Sequence, residues 1–124
     1  MPEPAVIDDG EVILRHIPGG SRWQAPGPRI TSGNFELRKD RGETGVSVTW
    51  QVITSAERLL ALVNSKPDAR VAAVRVGDVR ALGLRVIPKP VDNDPGHAEI
   101  QSHTASLDDH LVRKKLANAF RFLE

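Results

Sequence analysis

The sequence predicts an α+β fold: a single twisted, mainly antiparallel sheet of about six strands with two helices packed on it. Three observations carry that expectation. β-rich runs come in succession, over residues 11–17, 29–37 and 45–50, instead of alternating strictly with helical patterns. Gly45 to Trp50 alternates, with Val46, Val48 and Trp50 on one face and Ser47 and Thr49 on the other, as a half-buried strand requires. Residues 107–123 repeat apolar side chains at helical spacing: Leu111, Val112, Leu116, Ala119, Phe120 and Leu123 fall on one side, Arg113, Lys114 and Arg121 on the other.

Taken in order, residues 1–10 are polar and Pro-containing and are expected to fray. Glu11 to Ile17 is the first strand, apolar enough to be covered on both faces. Residues 18–28 hold three Pro, three Gly and Trp23 and read as a surface loop. Arg29 to Leu37 reads as a second strand, with Phe35 and Leu37 on one face, and Arg38 to Glu43 as a charged turn. Thr54-Ser55-Ala56-Glu57 has the form of a capping box, predicting a helix to about Val63 with Leu59, Leu60 and Val63 inward. Arg70 to Val76 is the next strand. Gly77 to Gly83 reads as a helical turn capped by Asp78 and stopped by Gly83. Leu84 to Ile87 and His97 to Gln101 are strands on either side of a loop stiffened by Pro88, Pro90 and Pro95. Ser106 caps a last helix running from Leu107 to about Leu123.

The 124 residues suit one domain, 1–124. With 4% aromatic residues and no Tyr, its core must be built from Val, Leu, Ile and Ala. A formal net charge of +1 offers no electrostatic reason to expect nucleic acid or an anionic membrane as partner. The absence of Cys excludes disulfides, thiolate chemistry and Cys-based zinc sites. The start of the chain has no signal-peptide pattern, and no apolar run approaches a membrane span, so a cytoplasmic location is expected. Neither a Walker loop, a dinucleotide fingerprint, a G-x-S-x-G elbow nor a kinase set is present.

Several residues are candidates for chemistry. His97 follows the Pro-braced loop and opens a strand. It is either a general base or phosphate ligand, or a structural residue tying the loop through a ring N–H to a carbonyl. Arg15 and Arg29 are the best anion-binding candidates, since a guanidinium presents a planar fork of donors. Thr31 and Ser32 stand beside Arg29 with hydroxyls that would complete a phosphate site; the alternative pairs each Arg with a carboxylate such as Glu11 or Glu36. Arg75 is either on a wet face or paired with Asp78. Trp23 is either an exposed partner anchor or a lid on the core. His16, His97, His103 and His110 show no i, i+4 pair on one helix and no H-E-x-x-H, so no metal is expected.

Five landmarks, in this order, resemble a family of small uncharacterised bacterial proteins. They are Leu14-Arg15; Arg29-Ile30-Thr31-Ser32 with Phe35; Gly45-Val46-Ser47-Val48; Val74-Arg75-Val76-Gly77-Asp78 with Leu82-Gly83-Leu84; and Asp94-Pro95-Gly96-His97-Ala98-Glu99-Ile100. The resemblance spans most of residues 12–120 and brings no activity with it. Where relatives have His-Pro after the first strand, this chain has Ile17-Pro18. A fainter resemblance is to the ADP-ribosyltransferase fold. It implies Arg15 gripping the pyrophosphate of NAD, Ser47 or Thr49 supporting the nicotinamide ribose, and Glu99 orienting the ribose or the acceptor.

With no complete catalytic constellation, the expectation is a small bacterial accessory or binding protein that works with a partner protein and needs no cofactor. The alternative is an ADP-ribosyltransferase-like, NAD-binding domain, degenerate or active. The deciding relation is whether Arg15, Arg29, Ser47 and His97 line one cleft.

Overall fold

The computed structural model describes residues 7–17, 24–25, 29–62 and 69–123, with the side chains of Gln24, Ala25, Arg29, Arg41 and Leu62 outside the description. The elements are β1 (Val12–Ile17), β2 (Gln24–Ala25), β3 (Arg29–Ile30), β4 (Val46–Trp50), α1 (Ala56–Leu62), β5 (Arg70–Arg75), α2 (Val76–Ala81), β6 (Leu84–Pro88), β7 (His97–Ser102), α3 (His110–Ala119) and β8 (Arg121–Phe122). Two short 3-10 turns, Ser32–Phe35 and Lys39–Arg41, lie between β3 and β4.

Six strands form one antiparallel sheet in the order β6-β7-β4-β1-β5-β8, while β2 and β3 pair apart from it. The predicted α+β class, with its single antiparallel sheet, is the observed one; a third, six-residue helix, α2, joins the two expected. Register follows from the apolar alternation. Ile13 faces Val74 and Trp50, and Val48 faces Ala98, placing these side chains on one face with Ile17, Val46 and Ile100. Leu14 faces Ala73 and Thr49, and Thr49 faces His97, on the other.

Both faces of β1 are covered, as its nearly continuous apolar run predicts. The larger core gathers Ile13, Ile17, Val46, Val48, Val74 and Ile100 against Phe35, Val76, Val79, Leu107, Leu116 and Phe120. Fully burying an Ile, Leu or Phe stabilises the fold by about 1.5–3 kcal/mol, so this aliphatic layer dominates. The second core is small, made of Leu14, Leu59 and Val71, with Val12, Ala56 and Leu60 around it. It covers only the β1–β5 part of that face. The β4–β7 part carries Ser47, Thr49, His97 and Glu99 and is left polar.

The ladder between β1 and β4 is short. It joins Ile13 to Trp50 and Leu14 to Thr49 and stops there. Beyond it the strands part, and the turn segment 33–45 closes the gap from the side.

Several local expectations are corrected. The second strand is extended only over Arg29–Ile30, because Ser32-Gly33-Asn34 turns the chain and the Asn34 amide bonds the carbonyl and hydroxyl of Thr31. Phe35 is still fully buried. Thr54 does not cap α1: its hydroxyl is buried on Asp94, and Ser55 Oγ accepts from Arg58 N instead. Val63 lies outside the described residues. Helix α2 starts at Val76 with Arg75 at its cap, so Asp78 sits inside its first turn; Arg75 itself is exposed. Gly83 stops the chain as predicted, with φ +86°, and a Cβ there would meet Thr104 Oγ1 at 2.7 Å. The last helix is capped by Asp109, whose side chain accepts from Leu111 N, while Ser106 Oγ accepts from Asp108 N in the preceding turn. It ends before Phe120, and Arg121–Phe122 become β8 on the sheet edge. Leu111, expected inward, is exposed.

Candidate functional site

A cleft of about 950 Å³ opens where β1 and β4 separate. Its floor is β4 from Val46 to Thr49. One wall is the segment around Gly33–Arg38, the other the loop from Val91 to His97, and the β1 end closes the back with Leu14, Arg15 and His16. Arg15, Ser47, Thr49 and His97 therefore line one cleft.

Arg15 projects from β1 on the large-core face and passes 5.6 Å from the Phe35 ring centroid. Its Nε and Nη2 donate to the carbonyl of Asn34, at 3.1 and 2.5 Å, and its Nη1 donates to the carbonyl of Ser47 at 2.7 Å. The guanidinium thus fills the place where the ladder would have continued. It has five N–H groups, and these bonds engage three. Arg15 makes no ion pair among the described residues. Burial pushes it down to about 10, partly offset by the charge of Glu43, and it remains a cation at neutral pH.

His97 is held by its backbone and by its ring. Its N–H donates to the carbonyl of Asp94 at 3.1 Å, and its ring Nδ1 lies 2.9 Å from the carbonyl of Lys89. A carbonyl only accepts, so Nδ1 carries the proton and the neutral ring presents Nε2 as an acceptor. The loop-tying role and an available nitrogen thus coexist in one residue.

The sequence assigns Asp94 no role beyond its place in a landmark, yet it organises this wall. Its carboxylate accepts from Thr49 Oγ1 at 2.8 Å, Thr54 Oγ1 at 2.7 Å and Gly96 N at 3.1 Å. It joins β4, the approach to α1 and the 88–97 loop through one buried group. Gly96 lets the loop lie close: a Cβ there would stand 3.1 Å from the carbonyl of Trp50. The visible signal was Asp94-Pro95-Gly96 ahead of His97.

His16 also lines the cleft, and its Nε2 is buried with no partner among the described residues. Burial, then the nearby charge of Arg15, holds the ring below its ordinary 6.5 and keeps it neutral. On the opposite wall Arg38 grips Glu43, donating from Nη2 at 2.9 Å and from its backbone N at 2.6 Å. The hydrogen bond from the Arg38 side chain, then that from its backbone, lowers the Glu43 carboxyl. Glu36 and Asp40 stand exposed at the rim.

The remaining candidates lie elsewhere. Glu99 faces Ser47 across the β4–β7 ladder but is not in the cleft lining; it accepts from Thr44, Gln101 and Lys89. Burial pushes its carboxyl up, but the bond from Gln101 and the charge and bond of Lys89 outweigh burial and leave it lowered. Ser32 Oγ lies 3.3 Å from His110 Nε2 and ties the 3-10 turn to α3. Arg29 starts β3, with its side chain outside the description, and Trp23 lies outside the described residues. Arg15 leaves β1 on the sheet face opposite that of Ser47, Thr49 and Glu99, and the Thr49 hydroxyl is spent on Asp94. Among the described residues no group of three or more His, Cys, Asp or Glu could hold a metal, and no helix is long and apolar enough to cross a membrane.

Comparison with known proteins returned nothing: no family model, no curated protein and no solved structure matches the chain.

Proposed function

We propose that this is a small bacterial binding protein without catalytic activity, which engages a segment of a partner protein in the cleft between β1 and β4. The supporting observation is Arg15, a desolvated guanidinium on the cleft whose bonds go only to neutral carbonyls. Burying a cation without a counter-ion costs free energy, and an arriving anion recovers it. His97 Nε2 and the exposed Ser47 add an acceptor and a hydroxyl on the same surface. Val91, exposed at the rim, supplies apolar contact area.

The test is selection of short peptides from a random display library, followed by titration of the selected peptides into ¹⁵N-labelled protein. Amide shifts at Gly33, Ser47 and His97, with Leu111 unmoved, support the proposal. Failure to recover a cleft binder, or turnover of added NAD, defeats it.

A further inference from the structure

The charges of the cleft are arranged unevenly, and the arrangement bears on what it accepts. Among the described lining residues the cations are Arg15 and Arg38, and the carboxylates are Glu36, Asp40, Glu43 and Asp94. Arg38 is spent on Glu43, and Asp94 on Thr49, Thr54 and Gly96. What remains is one cation at the back and two exposed carboxylates, Glu36 and Asp40, on one wall. Neither carboxylate has an ion pair among the described residues.

The accessible end of the Arg15 guanidinium is Nη1: its bond to Ser47 is solvent-exposed, whereas those to Asn34 are half-buried. A carboxylate carries one charge and matches a single guanidinium. A phosphate dianion would meet one cation and two uncompensated carboxylates, which is unfavourable by Coulomb's law. A ligand of mixed charge satisfies both ends. Across the floor, Ser47 and His97 are diagonal neighbours on adjacent strands, a separation of about 7–8 Å. Two residues of extended chain span a similar length, about 6.8 Å.

Resting on the binding role proposed above, we infer that the occupant is an extended, mixed-charge peptide segment. Its acidic side chain meets Nη1 of Arg15, and its neighbouring Lys or Arg meets Glu36 and Asp40. A hydrogen-bond donor further along the segment meets Nε2 of His97.

The experiment compares four end-blocked hexapeptides by the same amide-shift titration. One carries adjacent Lys and Glu, one Lys and Gln, one Gln and Glu, and one Lys and phosphoserine. The Lys–Glu peptide is expected to move Gly33, Ser47 and His97. Replacing its Glu by Gln weakens binding roughly tenfold, and replacing its Lys a few-fold. Glu36→Gln with Asp40→Asn, both at exposed positions, removes the preference for Lys, and the Gln–Glu peptide then binds no more weakly than before. Arg15→Met abolishes the preference for Glu; should that variant not fold, the Glu-to-Gln comparison on the unaltered protein decides the point. Equal binding of the Lys–Gln and Lys–Glu peptides overturns the inference, as does tighter binding of the phosphopeptide. If none of the four binds while display-selected peptides do, only the inference falls; if nothing binds in the cleft, the binding role falls with it.

Discussion

The ring of His97 donates its Nδ1 proton to the carbonyl of Lys89 at 2.9 Å, across the neck of the 88–97 loop. This contact fixes the tautomer and helps to hold the loop closed. Long-range ¹H–¹⁵N spectra of the neutral ring are expected to show Nε2 as the unprotonated nitrogen. His97→Ala should speed amide exchange across residues 89–97 and cost about 0.5–1.5 kcal/mol, the worth of one such bond.

Asp94 serves two buried hydroxyls and a backbone N–H at once. Asp94→Ala leaves Thr49 and Thr54 buried without acceptors and is expected to cost about 3–5 kcal/mol in urea unfolding. Adding Thr49→Val and Thr54→Val should recover part of that loss, because the stranded hydroxyls are then gone. No recovery would mean that the Asp94 bonds to the two Thr residues are not the source of the cost.

Arg15→Met keeps an unbranched stem beside Phe35 and removes the cation. The carbonyls of Asn34 and Ser47 lose the guanidinium donors, yet they border an open cleft where water takes over. Relief of the buried charge works in the same direction. Stability is expected to change by less than about 2 kcal/mol, which urea denaturation measures directly. A much larger loss would make Arg15 a structural residue first.

Acid should destabilise the fold in two stages. His16 is held below its ordinary 6.5 by burial and by Arg15, so the unfolded chain binds its proton first. The stability linked to His16 is complete above pH 6.5 and is lost as pH falls through the folded value. Glu43 and Glu99 are lowered from 4.5, so their contributions are present above that pH and fade below it. Denaturation midpoints measured between pH 8 and 3 should show both stages. His16→Gln should erase the upper one alone.

The β-strands were legible wherever one face was apolar and the other polar, as in Val46, Val48 and Trp50, or where both were apolar, as in β1. The second strand was not, because Arg29 to Leu37 has the right residue types. What decides its shape is the Asn34 side chain bonding back to Thr31, a local competition that alternation does not register. The capping box at Thr54 failed for a related reason. A distant carboxylate, Asp94, outbid the helix for the Thr54 hydroxyl, and only the tertiary fold brings them together.

Of the candidate site, Arg15, Ser47, Thr49 and His97 were visible as residue types, and they do border one cleft. Their roles were less legible. The guanidinium of Arg15 reaches the cleft through the gap between strands and not from the sheet face that spacing would assign it. Glu36 read as a strand residue and a partner for an Arg, Asp40 as a charge in a turn, and nothing short of the folded chain shows that they flank the same opening.

The brevity of the β1–β4 ladder has a mechanical consequence. Two residue pairs hold these central strands together, whereas six hold β1 to β5 and five hold β6 to β7. The middle line is thus the seam of the sheet with the fewest paired residues, and what bridges it instead is side-chain work: Arg15 on the Ser47 carbonyl, Trp50 Nε1 on Glu11, and the shared apolar layer beneath.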